Sequence, residues 1–292
     1  MEKLIKEFAR DIKIDLIGIT NFNQEDDLNV LRSQKHLNPF INKKRLTNNP
    51  ELDKYTKAIV IGMSYPSHEE GLDEDLITSF SNSSWGTDYH LVLKDKLNEL
   101  ADYITTIVPG FEYKVMVDTG PVNERLLGEL AGLGFVGKNN MLINPRYGSY
   151  FFIGVLLTNL DLEIDQPIRN MCKNCSKCIK ACPTNALALN NSLKCVSYLT
   201  QKKDLTKEEE KYINNNIFGC SICQQVCPFN RGVNNLHEEF IPTGVEFIKD
   251  KEAFNLTNKE FKIQYGHLAG SFIGKNILKR NLELIIKNNR II

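Results

Sequence analysis

The sequence predicts a mixed α+β / α/β chain in three parts: an N-terminal α/β domain over 1–165, a small cysteine-rich domain over 166–236 and a short helical C-terminal segment over 237–292. Three observations divide it so. Before residue 165 apolar runs alternate with amphipathic stretches, whereas all eight cysteines fall between Cys172 and Cys227. Beyond them, helical apolar spacing returns in "AFNLTNKEFKIQYGHLAGSFIGKNILKRNLELIIKNN". With 292 residues, 42% hydrophobic and 25% charged, the chain is long enough for one large or two ordinary globular domains.

The N-terminal domain opens on a helix around 2–12, whose apolar spacing is broken by charges, unlike the apolar core of a signal peptide. Strands follow in "IDLIGIT" and in "AIVIGMSYP" (58–66), then a helix in "YHLVLKDKLNELADYITTIV". "EYKVMV" reads as a strand ending just before Asp118. The turn "DTGP" feeds a helix in "VNERLLGELAGLG", with Pro121 suited to its first turn and Gly132 or Gly134 to its stop. "NMLINP" and "YFFIGVLLTNL" look like two strands around a Gly-containing turn. Such alternation points to an α/β domain. In the tail, Thr257 suits a helix cap. No stretch approaches 18 uncharged apolar residues, so no membrane span is expected and a cytoplasmic location follows. A formal net charge of +0 argues against a globally basic nucleic-acid binder and leaves room for local patches.

In a reducing compartment clustered thiols point to metal or redox chemistry rather than disulfides. Cys172-x-x-Cys175-x-x-Cys178-x-x-x-Cys182-Pro183 has the spacing of bacterial two-cluster ferredoxins. There three thiolates hold one 4Fe–4S cube and the fourth, before proline, reaches the other. The second run, Cys220-x-x-Cys223-x-x-x-Cys227-Pro228, is one ligand short, and Cys195 is the only thiol left to complete it. By that exchange, Cys172, Cys175, Cys178 and Cys227 bind one cluster, and Cys182, Cys195, Cys220 and Cys223 bind the other. Two zinc sites could also use eight thiolates, but a three-cysteine run followed by Cys-Pro favours a ferredoxin-like domain with two 4Fe–4S clusters. A free two-cluster carrier needs far less chain, so the first half is expected to hold the electrons' destination.

That half contains no Walker A loop, no GxGxxG after a strand and no HExxH. Asp118 stands at the C-terminal end of a predicted strand, where open α/β sheets collect ligands; on position alone, an aspartate bonding turn amides is the commoner role. "DYHLVL" (88–93) resembles the Asp-x-His-x-x-Gly signature of cobalamin proteins whose histidine ligates cobalt. Leu93 replaces the glycine, and the stretch opens a helix, which favours His90 as a helix-start residue in a polar network.

Longer phrases carry a resemblance. "VDTGPVNERLLGELAGLGFVGKNNMLINPRYGSYFFIGVLLT" (117–158), the first cysteine run, "KCVSYLT" (194–200), "IFGCSICQQVCPFNR" (217–231) and "WGTDYH" (85–90) together resemble the epoxyqueuosine reductases. These are cobalamin-dependent enzymes of tRNA queuosine biosynthesis, related to reductive dehalogenases. The resemblance covers most of residues 1–235. It implies a cobalamin-binding catalytic domain ahead of the two-cluster domain, and a tRNA carrying epoxyqueuosine at its wobble position as substrate. It also implies an external low-potential electron donor; a monomer is expected. Asp118 matches the family's proton donor, which requires a carboxyl pKa raised by burial beside the corrin. By the same resemblance, Leu142, Ile153, Ser197, Ser221 and Arg45 are candidate cofactor contacts.

Two departures stand out. "SNSSWGTDYH" lacks the Tyr and Arg that the family often carries there, and longer members continue into a helical-repeat domain. Lys43, Lys44, Arg45, the lysines of "KNCSKCIK" and "KNILKR" (275–280) are the candidate tRNA contacts. Two other functions fit the cysteines: a corrinoid iron–sulfur reductase of a small molecule, and a non-catalytic electron carrier.

Overall fold

The computed structural model describes residues 1–34, 46–67, 80–118, 120–233, 237–242 and 251–289. The chain forms two compact units, Met1–Ser64 with His90–Cys175, and Tyr65–Tyr89 with Ser176–Ile292.

The first unit contains α1 (Glu2–Asp11), β1 (Leu16–Asn21), α2 (Gln24–Gln34), β2 (Lys57–Ser64), α3 (Tyr89–Ile107) and β3 (Tyr113–Met116). It continues with α4 (Glu124–Leu130), β4 (Phe135–Val136), β5 (Leu142–Ile143) and β6 (Phe151–Thr158). Its main sheet has the order β1-β2-β6-β3 with every pair antiparallel, so the architecture is α+β and the expected α/β arrangement does not form. The misreading has a physical source. β2 is buried along almost its whole length and β6 along most of it, the near-continuous apolar pattern usual in parallel strands covered on both faces. Here helices cover both faces of an antiparallel sheet. Leu93 and Leu97 of α3 approach Gly154 and Ile61 on one face, while α4 brings Gly128 against Leu142 and Val60 on the other.

Two local expectations are corrected. α4 begins at Glu124, capped by the Asn123 side chain accepting from the Leu126 amide at 3.3 Å, so Pro121 lies ahead of the helix rather than in its first turn. The strand in "NMLINP" pairs with β4 in a separate two-stranded hairpin, whereas β6 joins the main sheet. The helix stop falls as expected: Gly132 has φ +75.

The second unit contains α5 (Lys177–Ala181), α6 (Val196–Leu199), α7 (Lys207–Glu210), α8 (Ile222–Gln225), α9 (Asn258–Tyr265) and α10 (Lys275–Asn289). Thr257 caps α9 in a reciprocal box with Glu260. Phe80, Trp85, Ile217, Phe218, Phe254, Phe261 and Leu278 share one core. The helical tail therefore packs in the same unit as six of the cysteines instead of forming a separate third part. The cysteine segments, poor in large apolar residues, borrow the tail's.

Polar bonds reinforce this packing. Asn281 of α10 is fully buried and its Nδ2 donates to the carbonyls of Thr200 and Ile217, each at 2.7 Å. Arg280 donates to the carbonyls of Lys202 and Lys203 at 2.7 Å. Among the described residues no helix is long and apolar enough to cross a membrane.

Asn281→Leu keeps the bulk but leaves two buried carbonyls without their donor, at a cost of about 2–4 kcal/mol. Thermal unfolding should show a midpoint several degrees lower, and an unchanged midpoint would contradict this account of the tail.

Candidate functional site

The first cysteine run spans the division between the units. Cys172 and Cys175 belong to the first unit, and Cys178, Cys182, Cys195, Cys220, Cys223 and Cys227 to the second. Within the second unit α5, which carries Cys178, packs against α8, which carries Cys223. Cys182, Cys195, Cys220 and Cys223 are close enough to sense one another's charge. Burial, and then the neighbouring thiols, push the Cys220 thiol up to about 11 and that of Cys223 higher. Cys195 is raised by burial, opposed by hydrogen bonds from the Ser197 and Tyr198 amides; the Ile222 amide plays the same part for Cys220. Cys195, Cys220 and Cys223 therefore resist ionisation until a cation neutralises them. The donor set thus fits a metal cluster, whose ligands must be thiolates.

The segments that carry these thiols are held by side chains outside the cysteine runs. Thr200 Oγ1 accepts from the Gly219 amide at 2.9 Å and donates to the Ser197 carbonyl at 2.9 Å, joining the stretch after Cys195 to the one before Cys220. Gly219 has φ +72, and a Cβ there would lie 2.1 Å from Ser81 Oγ, so the chain needs glycine at this turn. Ser221 is buried, and its Oγ accepts from the Asn82 amide at 3.1 Å.

In the first unit, Asp118 follows β3, the edge strand of an antiparallel sheet, so the strand-end argument from α/β sheets does not apply to it. It has φ +54, a left-handed conformation that aspartate tolerates better than most residues. Its side chain is 55% exposed, and His90 Nε2 lies 3.7 Å from its Oδ2. Among the described residues its side chain is left half-exposed, without the burial expected to raise its pKa. His90, in the first turn of α3, is a neighbour of Asp118 that sequence reasoning missed. Residues 28 positions apart have no local spacing to connect them, and only the return of α3 and β3 to one end of the unit does so.

The other candidates differ in setting. Leu142 is 3% exposed and its side chain belongs to the core, which leaves its backbone for any contact; Ile153 is half-buried against that core. Ser197 is half-buried, with its carbonyl engaged by Thr200 and Gln201. Arg45, with Lys43 and Lys44, lies outside the described residues.

Comparison with known proteins adds the decisive observation. Residues 171–230, which include all eight cysteines, match the 4Fe-4S double cluster binding domain, and residues 45–119 match "Epoxyqueuosine reductase QueG, DUF1730". An epoxyqueuosine reductase of Lactococcus garvieae is 40% identical over 310 residues, covering 99% of this chain and 87% of the relative. The chain belongs to the epoxyqueuosine reductase family. Epoxyqueuosine reductases are oxidoreductases, and this member carries the double-cluster domain. Two solved structures of the family superpose with a TM-score of 0.86, each covering 98% of this chain and 81% of the solved one. One, 36% identical, is an epoxyqueuosine reductase with an epoxyqueuosine-modified tyrosine tRNA stem loop. The other, 34% identical, is the Bacillus subtilis enzyme with its aspartate catalytic loop swung out of the active site.

The raised thiols set a pH dependence. A thiol whose folded pKa exceeds its unfolded value of roughly 8.5 stabilises the cluster-free fold fully below that pH. That contribution is lost as pH rises through the folded value, about 11 for Cys220. The cluster-free protein should therefore melt at progressively lower temperature in alkali, and the cluster-loaded protein should be spared this part of the loss. Parallel declines in both forms would refute it.

Proposed function

We propose that this chain reduces epoxyqueuosine to queuosine at the wobble position of a tRNA, the last step of queuosine biosynthesis. The observation that carries this reading is the 40% identity to an epoxyqueuosine reductase over 99% of the chain. The solved relative with a modified stem loop supports the substrate. Removing the epoxide oxygen by reduction takes two electrons into the ring, which is left as an alkene, and two protons onto the oxygen, which departs as water because an alkoxide leaves poorly. The electrons enter singly from an external low-potential donor. Cys172, Cys175, Cys178 and Cys227 would hold one 4Fe–4S cluster and Cys182, Cys195, Cys220 and Cys223 the other, and the pair would supply a one-electron relay.

Cobalamin, when bound, supplies the low-potential cobalt centre that the ring chemistry requires. The first unit has a feature suited to it. Asn139, three residues before Leu142, is 5% exposed, and its Nδ2 has no hydrogen-bond partner among the described residues. A buried amide donor without a partner is costly, and a corrin rim of amide carbonyls would satisfy it. Family resemblance assigns Leu142, Ile153, Ser197, Ser221 and Arg45 to the same cofactor. With Ser221 Oγ engaged by Asn82, that residue contributes by fixing the 80–84 loop beside it.

Asp118 protonates the substrate oxygen. Its half-exposed side chain acquires the necessary desolvation only when cofactor and substrate cover it, and that covering raises its pKa. His90 at 3.7 Å orients the carboxyl. A catalytic aspartate on a loop able to leave the site, as in the Bacillus subtilis relative, accords with this open position.

Local positive charge holds the tRNA. Lys173, Lys177 and Lys180 are exposed and suited to phosphates. In "KNILKR", Arg280 is committed to the Lys202 and Lys203 carbonyls and Lys275 to the Phe254 carbonyl, so neither serves the substrate.

Asp118→Asn should bind cobalamin with an unchanged visible spectrum and lose at least about 10²-fold in turnover, the usual scale of a general acid. Nucleoside mass spectrometry of epoxyqueuosine-containing tRNA reads the product, and full activity in this variant would remove Asp118 from the mechanism. Iron–sulfur absorption without bound corrin in the wild type would instead favour the electron carrier. Affinity for tRNA should fall steeply with salt if phosphate contacts dominate; binding indifferent to salt would argue against the lysine patch.

A further inference from the structure

The hairpin of β4 and β5 does more than carry Leu142. Its turn is closed by the Gly137 amide to the Met141 carbonyl and the Asn140 amide to the Gly137 carbonyl, both at 2.9 Å. From this turn Lys138 reaches the backbone of the segment that carries the first two cysteines. Its Nζ donates to the Lys173 carbonyl at 2.8 Å and to the Cys175 carbonyl at 2.9 Å. A second strap runs alongside. Asn170 Nδ2 donates to the Val136 carbonyl at 2.8 Å, and its Oδ1 accepts from the Cys172 amide at 2.8 Å. The Cys172–Cys175 turn is thus fastened to the hairpin at both ends.

The charge of this strap matters as well as its bonds. Each reduction of an iron–sulfur cluster adds one negative charge, and cluster potentials follow the local charge and hydrogen bonding. A fixed cation stabilises the reduced state over the oxidised one. The tract from Gln166 to Lys203 contains no Asp or Glu, so the loop itself offers no carboxylate to cancel the ammonium. A mere strap needs only a donor; a lysine brings a charge to the backbone of a ligand cysteine.

We propose that Lys138 is a positioning residue for the first cluster, clamping the Cys172–Cys175 turn to the β4–β5 hairpin and raising that cluster's reduction potential as a fixed cation. This rests on the reading that Cys172, Cys175, Cys178 and Cys227 hold a 4Fe–4S cluster. The electron that the cluster takes up comes from the external low-potential donor and leaves toward the substrate site, so Lys138 changes the ease of that transfer without itself reacting.

The test uses the full chain, purified without oxygen, in redox titrations followed by electron paramagnetic resonance, with iron counted in each sample. Lys138→Gln keeps a donor without the charge, Lys138→Arg keeps both, and Lys138→Met keeps neither. In Lys138→Gln one of the two cluster signals should titrate at a lower potential while the other holds, and Lys138→Arg should stay at the wild-type value. A loss of about half the iron in Lys138→Met, restored in Lys138→Arg, supports the clamp. Unchanged potentials in Lys138→Gln with full iron, or an equal shift of both clusters, would overturn the proposal. Absence of two cluster signals in the wild type would instead be a failure of the cluster reading, visible before any variant is made.

Discussion

Buried thiols that crowd one another cannot all ionise, and yet a metal cluster needs every one of them as thiolate. Cys195, Cys220 and Cys223 are in this position, with Cys182 close enough for its charge to be felt at each of them. The surrounding structure answers the constraint in two ways. Backbone amides point at the sulfurs of Cys195 and Cys220, and would stabilise negative charge once a cluster is present. Bonds from outside the cysteine runs also fix the ligand segments, so that the sulfurs are held near one another before any cluster binds.

Those bonds explain the architecture of the second unit. Short helices of four or five residues cannot fold alone, and the cysteine segments have little apolar surface with which to pack. α10 supplies both missing components. Its apolar side contributes Leu278 to the shared core, and Asn281 and Arg280 capture carbonyls that these segments leave unpaired. A helical tail that reads as a separate segment in the sequence is therefore part of the framework of the iron–sulfur unit.

The first unit has the opposite character: the central strands of its sheet are apolar and largely buried, and its candidate chemistry sits at the margins. Asp118 leaves the edge strand in a left-handed turn and meets His90 across 3.7 Å. Lys138 and Asn139 lie on a hairpin outside the main sheet. Such placement would suit the cofactor and tRNA contacts of the proposed function, because strands buried on both faces have no surface to offer. It also leaves the Asp118 side chain 55% exposed among the described residues.

What the sequence determined by itself was local or ordered along the chain. The cysteine spacing specified a two-cluster domain because ligands of a cube are set by the geometry of tight turns, and that geometry is written in residue counts. Helices around 2–11 and 89–107 and the cap at Thr257 were legible for the same reason, since each depends on neighbours within a turn. The sheet was not legible in its direction. Burial on both faces produces one apolar pattern whether strands run parallel or antiparallel, and only the path of the connections decides. The pairing of His90 with Asp118, the capture of Thr200 and Ile217 by Asn281, and the reach of Lys138 to Cys175 were likewise decided only in the folded chain. They join residues whose separation in sequence carries no period, and the hydrogen bonds and charges involved act through space over a few ångströms.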